Sequence, residues 1–240
     1  YMDEDLIGRN GPVYRINKFK ESQEFISYFN KFIKEKFNSN KINSIHNEAS
    51  PDKKLVHGTD QATIIHKEIY KDFDKEYDSY LIYFYRKLAF ATIEYLRDLY
   101  NISKWAVQRY PSLRIQFPEN ISVFEFHRDS DYNHPLGEIN HFLAITDCNE
   151  SSALHIEKNL GWDNFSPLNL MAGESAILNT SIYKHGDISN KTDFTRFSID
   201  FRSIPLQVLE KQESKNTVTA QRKLDINDYF MNADEIKLAL

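Results

Sequence analysis

The chain has 240 residues, of which 41% are hydrophobic and 14% aromatic, so it can bury a substantial core and we expect one large domain rather than two. Its formal net charge of −5 gives no electrostatic reason to expect a nucleic-acid or anionic-membrane partner. Only seven glycines are present and neither the dinucleotide-binding motif nor the P-loop motif occurs, which excludes Gly-rich phosphate loops as the basis of function.

The cysteine content and the lengths of the apolar runs indicate in which cellular compartment the protein is expected. Cys148 is the only cysteine, so no disulfide can form within the chain, and we expect a reducing environment. No apolar run approaches the roughly 20 residues that span a bilayer, and no charged-then-apolar signal pattern opens the sequence. We therefore expect a soluble, cytoplasmic protein.

Residues 1–110 are predicted to be mainly helical. Apolar residues recur at three- and four-residue steps over residues 18–37, which predicts an amphipathic helix, and the Asn- and Ser-rich stretch at residues 38–54 predicts a loop. Residues 61–99 contain no glycine or proline and predict a helical block that breaks near residues 77–79 into two helices. The aromatic stripe of this block is typical of a packing face rather than of a cofactor site.

From Pro111 the hydrophobic period changes from about 3.6 to about 2, which predicts strands. After a first strand, turn residues separate further short runs, which are predicted strands at residues 121–127, 139–145, 153–157, 175–178 and 194–202. Short strands after a helical half predict an α+β protein whose second half, residues 111–205, is a sandwich or jelly roll. Residues 206–240 are predicted to be a C-terminal extension with a short element near residues 226–238.

One constellation fits a metal site. Oxygen-activating non-haem iron enzymes hold the metal with two imidazoles and one carboxylate, which leaves positions open for co-substrates. His127 and Asp129 stand two residues apart at the end of a predicted strand, so their side chains are expected on one face. His185 follows Asp129 by 56 residues, which leaves room for several intervening strands.

The spacing alone is not selective, because five of the eight histidines have an acid two residues on. His46 lies in a predicted loop, and His66 lies in a predicted helix, where residues two apart point about 200° from each other. His155 is only 30 residues from the distal histidine, too few for the intervening strands. Asp131, four residues after His127, is an alternative carboxylate, but it falls beyond the predicted strand end.

A second element strengthens the prediction. Arg196 follows His185 by eleven residues on the last predicted strand, where Arg196, Ser198, Asp200 and Arg202 alternate with apolar residues. Four polar residues on one face of a strand imply a polar cavity or solvent on that side. A guanidinium suits a dicarboxylate held by two hydrogen bonds, with the Ser198 hydroxyl as a second donor. The alternative is a salt bridge at the edge of the sheet.

These motifs resemble those of the Fe(II)- and 2-oxoglutarate-dependent oxygenases, which are His-x-Asp, a distal His and Arg-x-Ser. More narrowly, four segments resemble the branch typified by a streptomycin-biosynthesis protein and distantly similar to phytanoyl-CoA hydroxylase, at residues 126–132 (FHRDSDY), 137–140 (GEIN), 185–186 (HG) and 195–202 (TRFSIDFR). The resemblance covers residues 111–205.

The resemblance implies a double-stranded β-helix, a cupin-like jelly roll, with the N-terminal helical half packed against it. It implies that His127, Asp129 and His185 bind Fe(II) as the catalytic centre. Arg196 and Ser198 would hold the distal carboxylate of 2-oxoglutarate, and O2 would be the second co-substrate. The expected reaction oxidises a small polar metabolite, such as a sugar, nucleotide-sugar, amino acid or natural-product intermediate, and releases succinate and CO2.

Other polar residues are candidates for binding. Asn140 follows Gly137 in the next strand and is predicted to contact 2-oxoglutarate or substrate, or else to make a structural hydrogen bond. Five residues are candidates for lining the substrate pocket: Arg114, Gln116, Tyr132, His134 and Arg202.

Hydroxylation is the expected outcome, although desaturation, ring closure and epimerisation use the same kind of site. Proteins with three other functions have the same barrel fold. A non-catalytic module would bind a sugar or metabolite without consuming oxygen, and a cupin-like metal isomerase would not need the Arg-x-Ser pair. A nucleic-acid demethylase predicts basic clusters, which the net charge of −5 disfavours. We expect a small-molecule substrate and neither a nucleic-acid nor a membrane partner; the sequence does not indicate an oligomeric state.

Overall fold

The computed structural model of the chain describes residues 11–39, 41–47, 64–73, 79–122, 126–218 and 221–236. The α-helices in these residues are α1 (Lys20–Phe37), α2 (Ile64–Phe73), α3 (Tyr80–Tyr100) and α4 (Leu206–Leu209). The strands are β1 (Val13–Asn17), β2 (Trp105–Gln108), β3 (Ser112–Gln116), β4 (Ile139–Ala144), β5 (Leu154–Glu157), β6 (Phe165–Leu168), β7 (Ser175–Leu178), β8 (His185–Gly186), β9 (Arg196–Pro205) and β10 (Phe230–Asn232).

Helix α1 forms where the amphipathic period predicted it. Phe25, Phe29 and Ile33 recur at four-residue steps and are buried, and the helix ends at Asn38, which adopts the left-handed conformation with φ 53°. The predicted helical block forms α2 and α3 as two separate helices. The break between them, at residues 74–78, lies outside the described residues. Helix α3 packs against α1 through stacked rings of Tyr28 and Phe84, whose centroids are 5.1 Å apart.

The strand pairs of the described residues are all antiparallel and form two sheets. The large sheet has the order β1-β7-β4-β9-β2-β10, with β3 also paired to β9, and the small sheet has the order β6-β5-β8. Strand β9 has ten residues, all buried, and it organises the large sheet. It pairs with β4 along one edge and with β3 and then β2 along the other.

The two faces of β9 have opposite chemistry. Phe197, Ile199 and Phe201 belong to the core shared with the helices, and Phe197 lies 5.8 Å from the ring of Phe29 on α1. Phe201 lies 5.5 Å from the ring of Tyr85 on α3. The alternating polar residues of β9 therefore lie on the face turned away from the helices.

A second apolar cluster joins the two sheets. It contains Phe142 of β4 and Leu178 of β7 from the large sheet, together with Ile156 of β5 and Leu168 of β6 from the small sheet. The fold is thus a layer of helices on one face of a large antiparallel sheet and a small sheet on the other. The predicted α+β class and double-stranded β-helix core are confirmed.

Four predicted strands form with small differences at their ends, and β9 extends three residues beyond its predicted end. The predicted strand at residues 121–127 does not form in the described part of that segment, where His127 makes only an isolated bridge and residues 123–125 are not described. The predicted loop at residues 38–54 contains a 3-10 helix, Ile42–Asn47, because Ile45 is buried. The predicted element near residues 226–238 contains β10 and a 3-10 turn.

Several strands had not been predicted. Strands β1 and β2 lie within the part predicted to be mainly helical, and both join the large sheet. Strand β2 has four residues that are all buried, so it shows no alternation that would mark it as a strand. The division at residues 110 and 205 stays a prediction. Among the described helices, none is long and apolar enough to cross a bilayer.

Candidate metal centre

His127 and His185 face each other across an isolated antiparallel bridge. The N–H of His127 donates to the carbonyl of His185 at 3.1 Å, and the N–H of His185 donates back at 2.9 Å. Their ring centroids are 4.6 Å apart. Backbone pairing thus brings the two imidazoles together although 58 positions separate them in the chain.

Asp129 completes the cluster from a turn. Its N–H donates to the carbonyl of Thr180 at 2.8 Å, and it begins a 3-10 helix, Asp129–Tyr132. The prediction that Asp129 shares a strand face with His127 is therefore wrong. The chain turns directly after the bridge. This turn, rather than strand alternation, places the Asp129 carboxylate near the two histidines.

The three side chains are spaced as metal ligands. Oδ1 of Asp129 lies 3.9 Å from Nε2 of His127 and 3.7 Å from Nε2 of His185. One ligand atom from each residue lies within 4.8 Å of the other two, and no other such triad of His, Cys, Asp or Glu occurs in the described part of the chain. Donor atoms grouped this closely could hold a metal ion together. Two imidazoles and one carboxylate are the donors that non-haem Fe(II) sites use.

The alternative carboxylate is directed elsewhere. Asp131 is exposed, and its Oδ2 accepts the backbone N–H of Arg128 at 3.0 Å, which caps the turn. This leaves Asp129 as the carboxylate that faces the histidines.

Burial and charge put His185 and Asp129 in the protonation states that a metal requires. Burial lowers the pKa of His185 to about 4, so its imidazole is neutral near pH 7 and can donate a lone pair. The buried Nδ1 atom of His185 finds no hydrogen-bond partner among the described residues. Burial acts to raise the pKa of Asp129, but the charge of Arg202 outweighs it with help from His185 and holds that pKa well below its usual value. Asp129 is therefore ionised.

Arg196 is completely buried at the start of β9. Its Nη2 donates to Oδ2 of Asp187 at 2.7 Å and also to the hydroxyl of Ser122. Its Nε and Nη1 have no hydrogen-bond partner within the described chain, and neither has the hydroxyl of Ser198 on the same strand face. Buried donors without partners are rare, so these three atoms are candidates for binding an anionic oxygen ligand.

The other predicted binding residues surround the polar face of β9. Asn140 is opposite Arg202 in the β4–β9 pair, and its buried Oδ1 has no partner in the described residues. Arg114 and Gln116 of β3 are opposite Ser198 and Arg196. Nε of Arg114 donates to Asp200 at 2.7 Å, and Nε2 of Gln116 donates to the carbonyl of residue 188 at 2.7 Å.

The ring of Tyr132 meets that of His127 edge to face, with the centroids 4.8 Å apart. His134 pairs with Glu138 at 3.0 Å. Arg202 is held by carboxylates and is buried. A role in substrate binding stays a prediction for all five of these residues, namely Arg114, Gln116, Tyr132, His134 and Arg202.

Other residues of the site had not been predicted. Asp187 stands two residues after His185, and the two form one of the five His-x-acid pairs in the sequence. The pair is therefore visible in the sequence, but its spacing does not reveal the contact of Asp187 with Arg196. Thr180, Ser122 and Tyr229 come from loops or from the chain beyond residue 205. No local pattern marks such residues.

No protein-family model matches the chain. In sequence it is similar to the streptomycin biosynthesis protein StrG of Streptomyces griseus, with 26% identity over 168 residues, which are 70% of this chain and 76% of StrG. The resemblance to this branch that the motifs indicated is thereby confirmed.

Solved structures with some likeness are also found. One is the non-haem monooxygenase ThoJ in a nickel complex, with a TM-score of 0.47 and 13% identity, covering 94% of this chain and 85% of ThoJ. Another is SnoN, an α-ketoglutarate-dependent epimerase from nogalamycin biosynthesis, with a TM-score of 0.47 and 13% identity over 85% of this chain and 82% of SnoN. A third is CytC3 with Fe(II) and α-ketoglutarate, with a TM-score of 0.43 and 12% identity over 99% of this chain and 97% of CytC3.

Proposed function

We propose that this protein is a non-haem Fe(II)- and 2-oxoglutarate-dependent oxygenase that acts on a small polar metabolite. The observation that carries the proposal is the cluster of His127, Asp129 and His185, together with a buried, partly unpartnered Arg196 whose partner Asp187 stands two residues after His185. The similarity to StrG and the family motifs support the same reading.

The residues present fit the metal and the co-substrate. His127, Asp129 and His185 would hold Fe(II), and the pKa of about 4 keeps His185 neutral for that purpose. When bound, Fe(II) supplies the activation of O2, coupled to conversion of 2-oxoglutarate into succinate and CO2. The protein supplies orientation and a site from which water is excluded.

Arg196 and Ser198 would bind the distal carboxylate of 2-oxoglutarate. The Asp187 partner of Arg196 stands only two residues after His185, which ties the guanidinium to the segment that carries a proposed metal ligand. Nε and Nη1 of Arg196 and the hydroxyl of Ser198 are hydrogen-bond donors without partners among the described residues. A bound carboxylate would accept hydrogen bonds from them and so remove the free-energy cost of burying them unpaired.

The cluster is more open on the side of His127. The His127 side chain is 14% exposed, against 7% for His185 and 4% for Asp129. Tyr132 flanks His127 there, so a substrate would approach the cluster across Tyr132. A small-molecule partner suits a site of this kind; the cytoplasmic location stays a prediction from the sequence.

Anaerobic addition of Fe(II) and 2-oxoglutarate to metal-free protein tests the proposal. A weak visible charge-transfer band is expected in the wild type and should vanish in His127→Ala and Asp129→Asn. Asp131→Asn is the matched control, because it changes the alternative carboxylate and should keep the band. Absence of the band in folded wild-type protein would refute the proposal.

A panel of polar metabolites then separates the remaining alternatives. An oxygenase releases succinate in proportion to substrate consumed, whereas a binding module takes up a metabolite without releasing succinate. A cupin-like isomerase would convert substrate without 2-oxoglutarate, and Arg196→Lys would leave its turnover unchanged.

A further inference from the structure

Arg202 holds the carboxylate of Asp129 from the far end of the polar face of β9. Its Nη2 lies 3.1 Å from both carboxylate oxygens of Asp129, and its Nε donates to Oδ2 at 3.2 Å. Both side chains are buried. A planar guanidinium with two nitrogens on one carboxylate fixes the plane of that carboxylate as well as its position.

The two oxygens of Asp129 are not equivalent. Oδ2 accepts from Arg202 and also from the hydroxyl of Thr180 at 2.6 Å. Oδ1 accepts from Nη2 of Arg202 at 3.1 Å and faces Nε2 of His127 and Nε2 of His185. The hydrogen bonds thus concentrate on Oδ2 and leave Oδ1 directed at the imidazoles.

Other groups hold Arg202 in place. Its Nε lies 3.0 Å from Oε1 of Glu138, and its Nη1 donates to Oδ2 of Asp200 and to the hydroxyl of Tyr229 at 3.2 and 3.3 Å. Tyr229 comes from the chain just before β10. The C-terminal segment is therefore linked to Asp129 by way of Arg202.

Charge alone does not account for this arrangement. A cation beside a metal ligand opposes the binding of a second cation. Here Glu138 and Asp200 face the same guanidinium and offset its charge. Arg202 can therefore fix the orientation of the Asp129 carboxylate while opposing the binding of a metal cation less than an uncompensated arginine would.

We propose that Arg202, together with Thr180, is a positioning group that fixes Asp129 so that Oδ1 alone is presented to the metal. The inference rests on the proposed function, because it assumes that Asp129 is a ligand. It assigns Arg202 to the support of the metal centre, a role different from the substrate contact predicted from the sequence.

Metal-free protein titrated with Co(II) anaerobically tests the inference without any turnover. Arg202→Lys keeps the positive charge but loses the planar fork, and Thr180→Val removes the hydroxyl with little change of shape. The matched controls are Arg86→Lys and Thr92→Val, which change a buried arginine and a buried threonine of α3. Thermal unfolding of each metal-free variant reports on the fold separately.

We expect Arg202→Lys to weaken Co(II) binding about 10–100-fold, as loss of a supporting hydrogen bond does in other metal sites. Its Co(II) absorption should also change in intensity, because Asp129 is then free to rotate. Thr180→Val should weaken binding several-fold, and both controls should bind as the wild type does. If Arg202→Lys does not fold, Thr180→Val decides the matter.

Failure of the inference and failure of the proposed function give different results. Wild-type protein that binds no Co(II) contradicts the metal centre itself, and the positioning role with it. Wild-type protein that binds Co(II), with both variants within twofold of it and unchanged in spectrum, overturns the positioning role alone.

Discussion

Arg196 and Asp187 form an ion pair in which both side chains are completely buried, with Nη2 2.7 Å from Oδ2. The pair uses only part of the guanidinium, because Nε and Nη1 have no partner among the residues described. Ser122 also bonds to both members of the pair. Asp187 thus compensates the charge of Arg196 and leaves hydrogen-bond donors unused, which is how a preformed site for a second carboxylate would be built.

Substitution of Arg196 by lysine tests whether these donors serve 2-oxoglutarate. Lysine keeps a positive charge for Asp187 but cannot present two donors in one plane. Each hydrogen bond to a charged group contributes about 1.5–3 kcal/mol, so loss of one should raise the 2-oxoglutarate concentration for half-maximal binding by roughly 10–150-fold. Co(II) binding to the metal-free variant should stay unchanged. Unchanged 2-oxoglutarate affinity would contradict the assignment.

Asp187→Asn should destabilise the free protein and make it more responsive to dicarboxylates. Loss of one partner of a buried ion pair typically costs about 3–5 kcal/mol, because the other charge is left uncompensated. 2-Oxoglutarate then supplies the missing negative charge, so its addition should raise the Tm more in the variant than in the wild type.

Asp163→Asn is the control for this variant. Asp163 pairs with Lys184 at 2.6 Å, but its side chain is 62% exposed, so its loss should have little effect. A Tm of Asp187→Asn equal to that of the wild type, with no larger shift on adding 2-oxoglutarate, would mean that the pair does not prepare Arg196 for an anion.

The polar face of β9 could be predicted because its pattern is local. Four polar residues alternate with apolar ones, and only one orientation buries Phe197 and Phe201 against the helices. The helices were predictable for the same reason, since their apolar residues repeat at helical steps.

The immediate surroundings of Asp129 could not be predicted in this way. A spacing of two residues is compatible with a strand and with a turn, and the choice is made by the contact of Asp129 with Thr180, 51 residues away. Tyr229 lies in the predicted element near residues 226–238, but the pattern there does not indicate that it reaches the site. Contacts of this kind depend on the tertiary fold, which the sequence pattern alone does not specify.

His141 gives the protein a pH-dependent stability that is separate from the metal centre. It lies beside Phe201 on the face of the large sheet that packs against the helices, and Nε2 pairs with the hydroxyl of Ser203 at 2.7 Å. Burial lowers its pKa to about 3, from 6.5 in the unfolded chain. Because the unfolded chain takes up the proton more readily, this contribution is complete above pH 6.5 and is lost as the pH falls towards 3.

At pH 5 the loss due to His141 should be about 2 kcal/mol relative to pH 7.5, since each pH unit below 6.5 costs about 1.4 kcal/mol. Urea unfolding of His141→Gln at both values checks this expectation. The free energy of unfolding should fall by about 2 kcal/mol less in the variant than in the wild type. Equal losses in the two proteins would show that folding does not lower the pKa of His141.

Gly186 permits the close approach that places His127 opposite His185. A Cβ atom at Gly186 would lie 3.2 Å from the Cα of Phe126 and 3.2 Å from its ring, which is tighter than normal contact. The Cα belongs to the backbone directly before His127, and the Phe126 ring is held against Phe165 at 4.0 Å between centroids. The strain therefore cannot be relieved by a side-chain rotation alone.

Gly186→Ala should push residues 126 and 127 away and widen the bridge between the two histidines. Such overpacking typically costs about 1–3 kcal/mol, so we expect a lower Tm in the metal-free protein. Because the imidazoles are held together by this bridge, Co(II) affinity should fall as well. Phe126→Ala in the same background removes the ring but keeps the backbone contact, and should restore only part of the affinity. Full recovery in the double variant would place the clash in the ring rather than in the backbone, and wild-type affinity in Gly186→Ala itself would show that the bridge tolerates the methyl group.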